Sequence, residues 1–315
     1  MAFKIGYLLP TREAVMEGHH EARPLLDLAQ KAESLGYDSL WVGDSLFARP
    51  RHEPLILLSA VAALTRRVTL GTAVLLPALR NPVVLAHQIA TLDRIAEGRL
   101  VLGVGIAADV PNIRAEFLAA GVPFEGRVGR MLEGLRLARA LWAGKKVDWQ
   151  GRWHVKDAVL GPTPEREGGP PIWIGGMVEA ALERVGKHFD GWFPNGPDAA
   201  SFAAGWRKIG GVARAAGRDP NAITGAVYLT LAIDDDAEAA DKKLNAYLES
   251  YYGPLFAAVR RRQASYAGPS AGAALWLKGF LAAGASHLVL RFAGDHDRHL
   301  ELLARLKSAL AQDPQ

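Results

Sequence analysis

The chain has 315 residues, half of them apolar and 22% charged, with 33 glycines and no cysteine. That is enough to bury a barrel-sized core, and it excludes a disordered chain, a disulfide framework, a thiol nucleophile and any cysteine-held metal or iron–sulfur centre. The net charge of +4 is spread along the chain, and its densest basic run is only Arg260-Arg261-Arg262, so nucleic acid is not an expected partner.

The N-terminus, Met-Ala-Phe-Lys, leads straight into a strand pattern over Phe3–Leu9 with no signal peptide. A helix over Pro24–Gly36 follows, with Leu25, Leu28, Ala29 and Ala32 at helical spacing and Gly36 as its stop. Strand Ser39–Val42, helix Pro54–Thr65, strand Val68–Leu75, helix Pro82–Ile95 and strand Leu100–Val104 continue the alternation, with a helix from Arg127 to Trp142. The most apolar stretch, Val68 to His87, is interrupted by Gly71, Pro77, Arg80 and Pro82 and cannot span a bilayer. A soluble cytoplasmic protein with no membrane partner is therefore expected. Beyond an irregular stretch, Gly144–Pro171, come strand Ile172–Ile174, helix Glu179–His188, strand Gly191–Phe193, helix Asp198–Ala216 and strand Ile223–Ile233. One long helical region, Asp236–Ala283, precedes strand His287–Phe292 and a last helix, Asp297–Ala311. Nearly all these strands are apolar throughout, as buried parallel strands are. Eight βα units without a linker predict a single α/β domain over residues 1–315, a closed (β/α)8 TIM barrel with insertion segments at its C-terminal mouth; an open doubly wound sheet would give the same string.

Several short motifs follow strands. Gly43-Asp44-Ser45-Leu46 spells a serine-esterase block, yet the Asp and His three apart near the C-terminus that such chemistry needs are missing, since Asp295 and His299 are four apart. Gly103-Val104-Gly105-Ile106-Ala107-Ala108 has the spacing of a dinucleotide fingerprint, but it comes after three βα units and runs into Pro111. Gly168-Gly169-Pro170-Pro171-Ile172-Trp173-Ile174-Gly175-Gly176-Met177 puts two glycines between a strand and a helix. Free first-turn N–H groups there suit a phosphate. Asp295-His296-Asp297 with His299 reads as helix capping rather than a metal site, and no metal is expected.

Taken in order, the blocks Ala32–Asp44, Leu70–Pro77 with Arg80-Asn81-Pro82, Thr91-Leu92-Asp93, Glu97–Leu100, Gly103-Val104-Gly105, Pro170–Gly176 and Asp190-Gly191-Trp192 resemble the bacterial luciferase-like family of flavin- and deazaflavin-dependent oxidoreductases. The resemblance implies a (β/α)8 barrel with a reduced flavin or deazaflavin at its mouth. It also implies a cis peptide at Ala73-Val74 whose bulge supports the central ring, and a phosphate held at Gly175-Gly176-Met177. Thr72, Ala73, Val74, Gly105, Gly175, Gly176 and Met177 are the residues it assigns to the cofactor.

Many members carry Asp-His at the end of the second strand, where this chain has Asp44-Ser45. A serine shuttles no proton at neutral pH without an activating partner, so this departure favours an FMN-dependent monooxygenase, supplied by a separate flavin reductase and acting on a small organic substrate. The alternatives are a reductase using the deazaflavin coenzyme F-420, a serine hydrolase through Ser45, and a flavin-binding protein without catalysis. Asp44, His20 in the loop after the first strand and Arg291 ending the last one are the candidate catalytic groups. Trp41 is expected in the core. A homodimer through the early barrel helices is expected from the resemblance.

Overall fold

The computed structural model describes residues 3–311. In chain order the elements are β1 (Lys4–Leu8), α1 (Glu13–Met16), α2 (Arg23–Ser34), β2 (Ser39–Val42), α3 (Pro54–Leu64), β3 (Thr69–Thr72), α4 (Pro82–Ile95), β4 (Leu100–Val104), α5 (Pro111–Ala119) and α6 (Arg127–Trp142). They continue with β5 (Val147–Gln150), β6 (His154–Ala158), β7 (Ile172–Ile174), α7 (Glu179–His188), β8 (Gly191–Trp192), α8 (Ala199–Ala215) and β9 (Thr224–Ile233). Last come α9 (Ala237–Tyr252), α10 (Phe256–Arg262), β10 (Ser265–Gly268), α11 (Ser270–Ala282), β11 (His287–Phe292) and α12 (His296–Ala311).

The strand order is β10-β9-β11-β1-β2-β3-β4-β7-β8, and β9 pairs with β8 as well. The order thus returns on itself through eight strands, which is the (β/α)8 barrel, with β10 as an extra parallel strand beside β9. The helices start where the sequence writes caps. Glu53 accepts from the Ile56 N–H at 2.8 Å ahead of Pro54, and Asn81 accepts from the Val83 N–H at 2.9 Å ahead of Pro82.

Two compact units make up the chain. The first comprises residues Met1–Pro10, Asp27–Trp41 and Trp173–Gln315. Its inner layer is aromatic: Trp41 and Trp173 have ring centroids 5.2 Å apart, Trp41 and Phe193 4.9 Å, and His287 sits edge-on to Trp173 at 5.3 Å. The Trp41 indole N–H donates to Ser39 Oγ at 2.7 Å, and Ser39 Oγ lies 2.7 Å from His287 Nε2. That hydroxyl thus joins the indole and the imidazole in one buried polar chain. Burial, assisted by the charge of Lys4, pushes the His287 pKa down to about 3. A side chain at Gly6 of β1 would fall 2.3 Å from Ser39 Oγ and 2.7 Å from the Trp41 nitrogen, so this buried polar chain requires a glycine there.

The second unit comprises Thr11–Leu26 and Val42–Ile172. Arg99, from the Glu97–Leu100 block, donates to the carbonyls of Ala62, Thr65 and Val68 and so closes the C-terminal end of α3. The Trp142 indole, at the end of α6, donates to the Ala86 carbonyl of α4 at 2.9 Å.

Three expectations change. The irregular stretch before β7 contains the antiparallel hairpin β5–β6. Pro111 starts a helix where none was expected, as proline does at the first helical position. The long helical region Asp236–Ala283 is broken: α9 stops at Gly253, whose φ of +55° and ψ of −131° suit glycine alone, and Ser265–Gly268 leave helix altogether to extend the sheet. Among the described residues no helix is long and apolar enough to cross a membrane.

Candidate functional site

In this fold chemistry is carried on the C-terminal ends of the strands. Each predicted cofactor position immediately follows, or ends, one of them.

In the second unit the segment after β3 carries the expected cis bond between Ala73 and Val74. These two residues are half-buried, whereas Thr72, Leu75 and Leu76 around them are buried. The segment is held from both sides: the Ala73 N–H donates to the Val42 carbonyl at 2.7 Å, Leu75 N–H to Gly103 at 2.8 Å, and Gly105 N–H to Leu75 at 2.9 Å. A Cβ on Gly105 would stand 2.6 Å from Val74 Cγ2. Gly105 therefore makes room for the side chain of Val74, where the sequence suggested room for a ligand. Thr72 lies at the end of β3. Its hydroxyl is buried and donates to the Gly103 carbonyl at 2.8 Å, so the side chain is engaged in joining strands. The Gly-x-Gly-x-x-Ala pattern opens no helix; Ala107 takes a left-handed φ of +61° and α5 begins only at Pro111.

Asp44, a candidate catalytic group, is held as a clamp. Its side chain is 2% exposed; Oδ2 accepts from Arg80 Nη1 at 2.5 Å and from the Leu76 N–H at 2.9 Å, and Oδ1 from Arg80 Nη2 at 3.1 Å. Arg80 also reaches Glu53 at 3.0 Å. One guanidinium thus ties the beginning of the loop after β2 to its end, and to the bulge after β3.

Ser45 has the partner its position demanded, and sequence reasoning missed it. Its hydroxyl donates to Glu116 Oε1 at 2.6 Å and accepts from the Arg49 N–H at 2.9 Å. The same Oε1 accepts from the N–H groups of Phe47 at 2.6 Å and Ala48 at 2.8 Å, while Oε2 is buried without a partner. Glu116 lies on α5, the helix the sequence reading did not see, and Pro111 at its first turn was the signal. Among the described residues no histidine is hydrogen-bonded to Ser45, so the base a serine hydrolase needs is not at hand.

His20 is exposed, and it contributes its carbonyl, which lies 3.1 Å from His52 Nε2. His52 was not singled out by sequence. Its Nδ1 is buried and has no hydrogen-bond partner.

In the first unit, the Gly175-Gly176-Met177 turn is open to solvent, with Gly176 at φ +105°. Its geometry is pinned from below, because the Gly176 carbonyl accepts the Trp192 indole N–H at 2.9 Å. Helix α7 then starts at Glu179 after Val178, with no side chain capping its first turn. Those free N–H groups beside an exposed double glycine fit an anionic phosphate.

Among the described residues Arg291 pairs with no carboxylate, and it is almost closed to solvent. It is 1% exposed, donates to Thr230 Oγ1 from Nε at 3.1 Å and Nη2 at 2.8 Å, and reaches the Tyr252 hydroxyl at 3.0 Å and Gln263 Oε1 at 3.2 Å. The rings of Tyr228, Tyr247, Tyr251 and Tyr252 surround it at 4.7–5.4 Å. Cation–π attraction stands in for a counter-ion, and this candidate catalytic group lies buried among the rings. At the C-terminal motif, His299 accepts the Ile233 N–H on Nε2 at 2.9 Å and donates from Nδ1 to the Asp295 carbonyl at 2.5 Å. Both of its nitrogens are spent on the backbone. Among the described residues no cluster of metal-ligating side chains is present.

Comparison with known proteins agrees with this geometry. Residues 3–313 match the luciferase-like monooxygenase family. The F420-dependent glucose-6-phosphate dehydrogenase of Mycolicibacterium smegmatis is 34% identical over 69% of this chain and 67% of its own length. The 5,10-methylenetetrahydromethanopterin reductase of Methanolobus tindarius is 31% identical over 67% of this chain and 62% of its own. Among solved structures, an F420-dependent secondary alcohol dehydrogenase in complex with an F420-acetone adduct superposes with a TM-score of 0.84 at 21% identity, covering 99% of this chain and 100% of that one, a likeness of fold. The chain belongs to the luciferase-like monooxygenase family, and it is an oxidoreductase of that family.

Proposed function

We propose that this protein is a deazaflavin-dependent oxidoreductase that moves hydride between its coenzyme and a small substrate carrying a hydroxyl or carbonyl group. The observation that carries the reading is its 34% identity over 69% of the chain to an F420-dependent dehydrogenase. This turns the order expected from the sequence, where Ser45 in place of histidine had favoured FMN and oxygenation. The relatives weigh more than the single position, because Ser45 does not stand alone but is held by Glu116.

Each unit, taken by itself, carries a feature that suits such a coenzyme. The half-exposed pair Ala73-Val74, backed by Leu75, Gly103 and Gly105, offers a fixed apolar surface to a flat ring. The exposed turn at Gly175-Gly176-Met177, ahead of the uncapped α7, offers backbone donors to a phosphate. When bound, a deazaflavin supplies hydride exchange at a ring carbon. The chain's part is to bind, to orient and to handle the accompanying proton.

A second copy of the chain is the proposed partner, with no separate reductase required. Helices α3 and α4 expose Ile56 (74%) and Val84 (56%) beside a groove of about 680 Å³ that also involves Leu46, Leu79 and His87.

Fluorescence titration of the purified protein with the oxidised deazaflavin and, separately, with FMN tests the reading. Saturable binding of the deazaflavin and weak or no binding of FMN is expected. Tighter binding of FMN would return the protein to the monooxygenase reading.

A further inference from the structure

Side chains alternate along the extended segment that runs on from β8. Trp192 turns outward and stacks on Phe202 of α8, with ring centroids 4.8 Å apart. Gly191 and Phe193 face inward: a Cβ on Gly191 would stand 2.3 Å from the Trp173 ring, and Phe193 lies 4.9 Å from Trp41. Asn195 is next on that inner face. It is still bridged to Tyr228 of β9, and it is exposed. It therefore stands above the aromatic layer of the first unit, at the C-terminal end of its strands, where this fold does its chemistry.

Behind Asn195 the order of donors and acceptors is forced. A guanidinium only donates, so the Gln263 amide must turn Oε1 toward Arg291 Nη2, at 3.2 Å. Gln263 Nε2 then faces Asn195 and donates to its Oδ1. With Oδ1 taken, the Asn195 amide directs Nδ2 away from Gln263, and among the described residues no group accepts from it. The backbone is shaped to this pairing. Gly196 takes φ +59°, its Cβ would stand 2.5 Å from Gln263 Cγ, and its carbonyl accepts the Ala264 N–H at 2.5 Å. Hydrogen bonds in series polarise one another, so the two amides carry part of the buried positive charge to an exposed N–H.

We propose that Arg291 is a positioning residue, which through Gln263 turns the Asn195 amide so that its N–H takes an anionic oxygen, carboxylate or phosphate, of the substrate. In naming a substrate the inference rests on the deazaflavin reading; the relay itself is the same whichever coenzyme is bound.

Side-chain amide ¹H–¹⁵N spectra of the full chain labelled at asparagine, recorded without coenzyme, test it, with Asn195→Ser assigning the signal. Inorganic phosphate and acetate are the probes. A saturable shift of the Asn195 amide with at least one of them is expected, phosphate alone marking a phosphoester substrate and acetate alone a carboxylate. In Gln263→Glu the carboxylate pairs with Arg291 and takes the Asn195 N–H, so the amide turns over and shows Oδ1 to the anion. Affinity for the responding probe is then expected to fall about tenfold, and the free Asn195 signal to move. Arg291→Met is expected to weaken the probe likewise, with Arg291→Lys restoring part of it. Gln263→Glu keeps a partner for the guanidinium and decides the matter if Arg291→Met does not fold. No shift of Asn195 with either anion, as when phosphate is held at Gly175-Gly176 alone, overturns the inference, and so does equal affinity in Gln263→Glu. Failure of deazaflavin to bind sinks the function reading instead and leaves these shifts to be read as they stand.

Discussion

Glu116 shows how much one buried carboxylate can organise. A single oxygen accepts three donors within 2.8 Å, two of them backbone N–H groups of the loop that also holds Ser45. Replacing it by alanine leaves those donors without their acceptor, and Glu116→Ala is expected to lose about 2–4 kcal/mol in urea denaturation. Glu116→Gln, which keeps an accepting oxygen, should lose about 1 kcal/mol. His287 gives a second test at this scale. Its folded-state pKa is about 3, against roughly 6.5 when unfolded. Below pH 6.5 the unfolded chain takes up a proton that the folded chain refuses, so stability falls as pH drops from about 6.5 towards 3, by at most about 1.4 kcal/mol per pH unit from this group. Denaturation curves at pH 7, 5.5 and 4.5 should show a steeper loss for the native chain than for a His287→Gln variant that still folds.

At the scale of elements, the segment after β3 is a platform because its neighbours fit it. Gly105 on the segment after β4 leaves the space that Val74 Cγ2 occupies, only 2.6 Å from where a Cβ would stand. Gly105→Ala is expected to push Val74 outward, costing about 1–3 kcal/mol and weakening deazaflavin binding in the fluorescence titration. If affinity and stability are both unchanged, the platform is not set by this contact. The two ends of the loop after β2 are likewise joined through Arg80, and Arg80→Ala should raise proteolytic sensitivity within residues 45–52 before it affects global unfolding.

For the whole molecule, the expected second copy is testable by light scattering. Ile56→Asp together with Val84→Asp should convert a dimer to a folded monomer, since both side chains are largely exposed in the single chain and need not disturb its core. A native chain that is monomeric at all concentrations removes this surface from the account.

Much of the architecture was legible in the sequence. Glu53-Pro54 and Asn81-Pro82 announce helices, the apolar runs Leu100–Val104 and Ile172–Ile174 announce buried parallel strands, and each reads correctly because cap, period and burial agree locally. The glycine turn at 175–176 and the bond at Ala73-Val74 were found because family motifs mark them. Side-chain pairing was not legible. Nothing at position 45 names Glu116, 71 residues away, and nothing about Asp44 says that Arg80 will occupy both its oxygens. Arg291 looks like an open cation at a strand end until four tyrosines from distant positions close around it. By itself the sequence determined the order of the eight barrel strands and of the principal helices between them, since propensity and hydrophobic period act over a few residues. Tertiary structure alone decided which polar groups are spent on one another and which, like His52 Nδ1, are left open, because hydrogen bonds and burial are settled by neighbours in space.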